Sequence, residues 1–429
     1  MANIRLMEYE WSENPHEVDY YVPDSWDVTI YHIAGQKKPV LTPAQISERV
    51  ASPIGSPRIR DLAKGKKKVC ILFDDLSRGT PTYALIPAVL AELKAGGIAD
   101  NQIEFICAQG NHQISDRSLV ARKVGEDIVT KYPVFFHVPF YNCTPLGKTS
   151  FGTKIEINSE FLSCDLKIAI QATTPHATYG FGGGGKIIMP GVSSLESVYD
   201  HHGVTHKRFR EMLRRTPDAA GVFEGNPQPR DAMEIAKKAG IDFVVACLMN
   251  ETGCVTDIFA GEIGAVHQAS VAVGKEHYQV PDVRDADIAI ANAYCKATEA
   301  LHASAAAYIA VKRSGGTALT IANTHQGQIM HYLSGSWGIS SGGRNGPVKG
   351  SSVPAWINHC VFYTEYPEAR NRFRFAEKDL PRVHFASNWA EVIGKLIEWH
   401  GFNAKVAVFP DGTNQYTIQP EYEEPIKLD

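Results

Sequence analysis

The chain has 429 residues, of which 44% are hydrophobic and 21% charged, as is typical of a globular protein with two or three domains. Its net charge of −4 gives no electrostatic reason to expect nucleic acid or an anionic membrane as a partner. The first residues lack the apolar core of a signal peptide, and no apolar run is long enough for a membrane span. Eight scattered cysteines without a C-x-x-C spacing predict reduced thiols rather than disulfides or a zinc site. We therefore expect a cytoplasmic protein.

Residues 1–60 have an irregular pattern, with one helix expected at 42–51. From Lys67 onwards, buried strands alternate with helices. The strands are expected at 67–75, 102–110, 134–139, 165–174, 241–249 and 253–261, and the helices at 81–97, 115–127 and 263–278. After a polar stretch with a proline, further strands are expected at 288–294, 317–324, 382–388 and 405–410, and further helices at 302–316 and 389–401.

This alternation predicts an α/β fold with mostly parallel sheets. The polar stretch at 278–287 is the best candidate for a linker. We therefore place one α/β domain at 1–277 and a second at 288–429. Because ligands of such sheets bind at the carboxyl ends of the strands, we expect an active-site cleft between the two domains.

A glycine-rich loop follows the strand expected at 165–174. Gly180 to Lys186 fits the spacing G-x-x-x-x-G-K, but Ile187 stands where a P-loop needs Ser or Thr, and Pro190 interrupts the helix that should follow. An ordinary Mg²⁺-dependent nucleotide enzyme is therefore disfavoured. Backbone N–H groups of four glycines can still hold a phosphate; these are Gly182, Gly183, Gly184 and Gly185. The alternative is a glycine-rich turn beside a solvated lysine.

Charged and imidazole side chains follow three strand ends, close to Lys186. Arg78 comes after the first strand and can clamp a carboxylate with two hydrogen bonds, or else it pairs locally with a helix-capping Asp75. His112 and His176 follow two further strands. Two imidazoles that titrate near neutrality can act as a paired acid and base, which suits inversion of a stereocentre. The amine of Lys186 can pair with a phosphate or bond covalently to a cofactor, and both interpretations stay open.

The segment 200–206 contains His201 and His202. An isolated pair of histidines usually lies at the surface or caps a helix. Imidazole suits nickel and zinc, but neither an H-E-x-x-H motif nor a cysteine partner accompanies the pair. A metal ion here would therefore take one ligand from the protein and the others from another molecule.

Taken in order, these motifs resemble the nickel-dependent lactate racemase family, whose members use a nickel-pincer nucleotide. The matching motifs are Asp75-Leu-Ser-Arg78, Gly110-Asn-His112, Pro175-His176, Gly182 to Lys186 before Pro190-Gly191, and the later His202. The resemblance is clear over 67–206 and extends at the level of the fold over most of the chain.

The resemblance implies a role for each matched residue. A nickel pyridinium-3,5-bisthiocarboxylic acid mononucleotide would be attached to or anchored by Lys186, with His202 as the protein ligand to nickel. His112 and His176 would be the acid/base pair, and Asp75 and Arg78 would orient the cofactor and the substrate. The implied reaction is racemisation or epimerisation at C2 of a 2-hydroxy acid, by hydride transfer to and from the cofactor.

The second domain departs from the family pattern. Where the family carries a Tyr-Gln-x-x-Lys set for substrate binding, this chain has Leu301-His302-Ala-Ser-Ala305. We expect Lys296, His302 and Arg344 to take part in substrate binding instead. The change argues against lactate and for a larger 2-hydroxy acid, such as an aldonate or another sugar acid. The alternative is a non-catalytic protein that binds or carries a nucleotide cofactor on the same fold.

Overall fold

A computed structural model of the chain describes residues 2–9, 11, 16–202, 220–333, 352–373 and 375–417. Two six-stranded sheets organise these residues, together with three two-stranded pairings. Among the helices described, none is both long and apolar enough to cross a bilayer. The architecture is α/β with mostly parallel sheets, as the sequence predicts.

The first sheet contains all six strands predicted before the linker. Their order across the sheet is Val255–Gly261, Phe243–Met249, Leu166–Ala172, Val69–Asp74, Ile103–Ala108 and Val134–Phe136. Neighbours run parallel except at one edge, where the first two of these strands are antiparallel. Alternate side chains of the central strands belong to two apolar clusters, one on each face, which explains why these strands are apolar throughout.

The second sheet is parallel throughout. Its order is Val383–Ala386, Ile357–Tyr363, Gly316–Ile321, Ile288–Asn292, Lys405–Phe409 and Asp27–Ile30. Four of these strands were predicted from the sequence. The other two, Ile357–Tyr363 and Asp27–Ile30, were not.

The N-terminal segment lies on the second sheet, which corrects the predicted first domain of 1–277. Ala2–Met7 pairs antiparallel with Glu17–Val22, and Asp27–Ile30 forms the edge of the second sheet. Alternate side chains of this hairpin pack into the apolar cluster of that sheet. The short alternating pattern of Ala2–Met7 is a strand signal that the irregular surroundings concealed.

The helices pack around the two sheets. They are Pro43–Val50, Ile59–Leu62, Thr82–Ala95, Arg117–Val124, Glu126–Lys131, Ser159–Ser163, Pro227–Ala239, Ile263–His277, Leu301–Ala310, Ala369–Phe373 and Trp389–His400. The helix predicted at 115–127 is interrupted at Gly125, whose φ of 106° ends one helix and begins another. The helix Pro227–Ala239 and the antiparallel pair Cys143–Lys148 and Lys154–Asn158 were not predicted.

We call the first sheet with its helices the first layer, and the second sheet with its helices the second layer. The two layers meet at the carboxyl ends of the first-sheet strands. Arg78 forms an ion pair with Glu299 of the second layer. The backbone N–H of Tyr332 donates to the carbonyl of Asn111 at 2.8 Å. Polar side chains that follow strands of the first sheet therefore face residues of the second layer across a cleft.

Candidate active site

A cavity opens where these strand ends face the second layer. Most of its lining follows Val69–Asp74, Ile103–Ala108 and Leu166–Ala172, and one lysine comes from the second layer. The predicted site residues in the lining are Asp75, Arg78, His112, His176, Gly182, Gly183, Lys186 and Lys296. Strand-end reasoning from the sequence thus selects side chains that the fold brings together.

The carboxylate of Asp75 orients His112. Asp75 Oδ2 lies 2.6 Å from His112 Nδ1, and both side chains are buried. Ser77 donates to Asp75 Oδ1 through its hydroxyl at 2.5 Å and through its backbone N–H at 3.1 Å. Burial alone would raise the pKa of Asp75, but His112, with Arg78 and Ser77, lowers it to about 2. The ionised carboxylate keeps a proton on His112 Nδ1 and leaves Nε2 as the acceptor.

A buried lysine, which sequence analysis missed, supports the turn from Asp75 to Arg78. Lys123 Nζ donates to the carbonyls of Asp75 at 2.8 Å and Arg78 at 2.6 Å, and it lies 2.8 Å from Asp74 Oδ1. Its side chain is fully buried, and its ammonium group lies 4.9 Å from the ring of Trp11. A buried charge with several partners fixes the turn that carries the site residues. Lys123 was not selected from the sequence because it lies in a predicted helix next to other charged residues, where a lysine is usually exposed to solvent.

His176 and Lys186 form an uncharged pair. The backbone N–H groups of Thr178 and Tyr179 donate to His176 Nδ1 at 3.2 and 3.3 Å, which assigns the ring proton to Nε2. Lys186 Nζ lies 2.9 Å from that Nε2. Because the ring N–H at Nε2 needs an acceptor, and an ammonium group has no lone pair, this contact indicates that the amine of Lys186 is neutral. Loss of hydration, followed by repulsion from Arg78, lowers the pKa of Lys186 well below its usual range. Burial, followed by repulsion from Lys186, likewise lowers the pKa of His176.

The glycine turn has a half that faces the cavity and a half that packs against helices. Gly182 and Gly183 line the cavity. A Cβ at Gly184 would lie 2.1 Å from His267 Nδ1, and one at Gly185 would lie 2.4 Å from a backbone carbonyl of a neighbouring helix. Close packing is therefore a structural reason for glycine at these two positions. Phosphate binding by the turn stays a prediction, which the cavity-facing half fits best.

Lys296 and His302, the predicted substrate ligands of the second layer, lie in different surroundings. Lys296 is buried in the cavity wall, where Nζ donates to Thr174 Oγ1 at 3.3 Å and to a backbone carbonyl at 3.1 Å. His302 lines a neighbouring cavity, and its ring centroid lies 5.7 Å from that of His176. Burial lowers the pKa of His302 to about 3, although Glu299 opposes the shift. His302 is therefore a neutral hydrogen-bonding group.

Glu299, which sequence analysis did not select, joins the two layers. Its Oε2 pairs with Arg78, and its Oε1 lies 3.1 Å from His331 Nε2 and 3.9 Å from His112 Nε2. Burial alone would raise the pKa of Glu299, but Arg78 and the two histidines lower it well below its usual range. Arg78 thus already has a carboxylate partner within the protein. The signal for Glu299 was a lone carboxylate among small residues after the strand Ile288–Asn292.

His202, the predicted nickel ligand, follows the buried His201. His201 has a structural partner, since its Nδ1 lies 2.8 Å from Asp231 Oδ2. His202 Nδ1 lies 2.9 Å from the carbonyl of Val198, which places its proton on Nδ1, so a metal ion would bind through Nε2. His202 is not among the described residues that line the cavity. Arg344, the third predicted substrate ligand, lies outside the described residues.

The chain is similar in sequence to lactate racemases. Residues 14–212 match the family described as lactate racemase N-terminal domain. The chain is 30% identical over 237 residues to a lactate racemase of Thermoanaerobacterium thermosaccharolyticum and 27% identical over 293 residues to one of Lactiplantibacillus plantarum. The matched stretch spans 54% of this chain and of the first relative, and 66% of this chain and of the second. About half to two thirds of each relative is therefore matched.

Solved structures extend the similarity of the fold beyond the stretch matched in sequence. The lactate racemase apoprotein from Thermoanaerobacterium thermosaccharolyticum superposes with a TM-score of 0.71 at 22% identity, covering 97% of this chain and 100% of that one. A crystal structure of a Thermotoga maritima protein superposes with a TM-score of 0.63 at 16% identity, covering 89% of this chain and 100% of that one. The predicted α/β fold is confirmed by this likeness.

Proposed function

We propose, from the match of residues 14–212 to the family described as lactate racemase N-terminal domain, that the protein is an isomerase that inverts C2 of a 2-hydroxy acid. One observation carries the proposal. His112 and His176 line the same cavity, and each ring has its Nδ1 engaged by a fixed partner. Two imidazoles with defined tautomers can accept the proton of a substrate hydroxyl and return it.

We further propose that the cavity holds a nickel-pincer nucleotide. The neutral amine of Lys186 is a nucleophile and suits covalent attachment or anchoring of this cofactor. Gly182 and Gly183 present backbone without side chains where a phosphate would lie, and His202 would be the protein ligand to nickel. When bound, this cofactor would supply the hydride-transfer chemistry at C2 of the substrate.

The protein's own contribution is the movement of the hydroxyl proton. Asp75 holds Nδ1–H of His112, so Nε2 accepts the proton and the resulting imidazolium is stabilised by the carboxylate. For the opposite enantiomer, His176 takes this role. Acceptance of a proton at His176 Nε2 requires the other tautomer of this ring, which the backbone N–H groups of Thr178 and Tyr179 at Nδ1 disfavour.

We propose a substrate larger than lactate, such as an aldonate or another sugar acid. Arg78 is paired with Glu299, so Lys296 in the cavity wall is the better candidate to meet the substrate carboxylate. Glu299 and the neutral His302 offer acceptors for additional hydroxyl groups. These two side chains stand in and beside the segment where the family's usual substrate-binding set is replaced.

The test is to produce the protein together with cofactor-building enzymes and to assay C2 inversion over a panel of 2-hydroxy acids. The panel would range from lactate to aldonates, in deuterated water. We expect inverted product that keeps its own C2 hydrogen, nickel in the protein and added mass at Lys186. Retained cofactor without inversion of any panel member would favour the carrier alternative. Absence of both nickel and added mass would remove the proposal.

A further inference from the structure

A histidine of the first layer meets a histidine and a carboxylate of the second layer inside the cleft. His331 Nε2 lies 3.1 Å and His112 Nε2 3.9 Å from Oε1 of Glu299. These three ligand atoms all lie within 4.8 Å of one another. Ligands about 2.0–2.2 Å from one metal ion are about 3–4 Å apart, so one ion can reach all three after small side-chain movements.

Two of the three possible ligands, His112 and Glu299, are oriented by side chains that contact their other polar atom. Asp75 Oδ2 accepts from His112 Nδ1 at 2.6 Å, which directs the lone pair of Nε2 towards Glu299. Arg78 pairs with Oε2 of Glu299 and leaves Oε1 for the cluster. A carboxylate behind a histidine is the usual outer partner of a metal-binding imidazole.

Backbone pairing across the cleft fixes the third group. His112 and His331 form an isolated antiparallel bridge. Gln113 N–H donates to the carbonyl of Met330 at 3.0 Å on one side of this bridge, and Tyr332 N–H donates to the carbonyl of Asn111 at 2.8 Å on the other. The two imidazoles are therefore set opposite each other by the chain itself, with ring centroids 4.6 Å apart.

The charges around the cluster favour a cation. Asp75 contacts His112 and Glu299 contacts His331, so two carboxylates lie at the cluster, while Arg78 contributes one positive charge through its pair with Glu299. These three charges sum to −1. Lys296 also lines the cavity and opposes a cation.

We propose that His112, Glu299 and His331 bind one divalent transition-metal ion of the zinc class, at a site separate from the nickel assigned to His202. Two imidazoles and one carboxylate are a ligand set that suits zinc, cobalt and nickel. Three protein ligands leave coordination positions for water or a substrate hydroxyl. The site needs only these side chains, so it does not depend on the proposed reaction.

A bound ion has a direct consequence for the reaction. It occupies the Nε2 lone pair of His112 that proton transfer requires, and it ties the first layer to Glu299 and His331 of the second. Excess divalent metal is therefore an inhibitor of isomerisation, and metal concentration becomes a means of control at this site.

The test titrates the chelator-treated full chain, made without cofactor, with Co²⁺. Visible absorption reports the geometry of the bound ion, and competition by Zn²⁺ gives its affinity. We expect one equivalent to bind, with affinity at least tenfold weaker in His331→Ala and in Glu299→Gln. Thermal melting of each variant verifies that it is folded, and Glu299→Gln keeps the shape of the side chain if the alanine variant does not fold.

Two control variants make the result decisive. His384→Ala removes a histidine that pairs with Glu391 at 2.9 Å elsewhere in the protein, and we expect unchanged Co²⁺ binding. His202→Ala should also retain binding, which separates this site from the proposed nickel ligand. Wild-type affinity in a folded His331→Ala, or loss of binding in His202→Ala, overturns the proposal and leaves the isomerase proposal standing.

Discussion

The two imidazoles of the cavity have opposite electrostatic surroundings. On what we call the carboxylate side, His112 lies against Asp75 and faces Glu299. On the amine side, His176 lies against Lys186, and positively charged neighbours, Arg78 and Lys296 among them, lower the pKa of His176 further than burial alone. An imidazolium is therefore stabilised on one side and opposed on the other. The difference gives the ring of His112 a carboxylate partner, whereas positively charged neighbours oppose protonation of His176.

Removal of either imidazole is the strongest way to break this comparison. His112→Ala and His176→Ala should each lower kcat about 10²–10⁴-fold, the usual contribution of a positioned acid or base. The cofactor should remain bound in both variants. Initial rates from each epimer separately would show which histidine serves which direction. His359→Ala, which removes a histidine stacked on Trp399 of the second layer, is the control. Either site variant with more than a tenth of wild-type activity would contradict the assigned roles.

Asp75→Asn tests the carboxylate side without deleting an imidazole. An amide can hold the wrong tautomer of His112 and cannot stabilise an imidazolium, so we expect kcat to fall about 10²-fold or more.

The same substitution has a pH signature. The pKa of Asp75 is lowered to about 2 from an unfolded value of about 3.9, so its stabilising effect is present above about pH 4 and lost as pH falls towards 2. The variant should be about 2 kcal/mol less stable than wild type at pH 7, with the gap closing below pH 4. Urea unfolding at pH 7, 5 and 3 measures this, and a gap that stays constant with pH would contradict the assignment.

The sequence predicted the amine side better than the carboxylate side, for a physical reason. His176 and Lys186 follow one strand within ten residues, so local spacing reveals them. Glu299 and His331 reach His112 only because two layers come together, and sequence spacing carries no information about that contact. Lys123 was hidden because a buried lysine in a helix looks like a solvated one. The strands of the first sheet were predictable because burial on both faces leaves continuous apolar runs.

The glycine turn offers a smaller test, since it separates packing from ligand binding on the amine side. Gly184→Ala places a Cβ 2.1 Å from His267 at a φ of +53°, so we expect a loss of about 1–3 kcal/mol in stability. Gly182→Ala meets nothing closer than 3.6 Å and should melt like wild type, while its methyl group weakens cofactor retention. Thermal melting and the nickel content of each variant distinguish the two effects. Equal melting temperatures for the pair would contradict the division of the turn.

Lys186→Met, measured without cofactor, gives the smallest expected change and the sign opposite to that of Asp75→Asn. The pKa of Lys186 is lowered in the folded protein, so the unfolded chain binds more protons until pH reaches about 10.4. Wild-type stability therefore rises with pH through this window. A variant without the lysine does not lose stability to the deprotonation of Lys186 on folding at neutral pH. We expect the stability of wild type relative to Lys186→Met to rise as the pH increases from 7 to 10. Urea unfolding across this range decides the matter, because a charged, solvated lysine predicts a difference that does not change with pH.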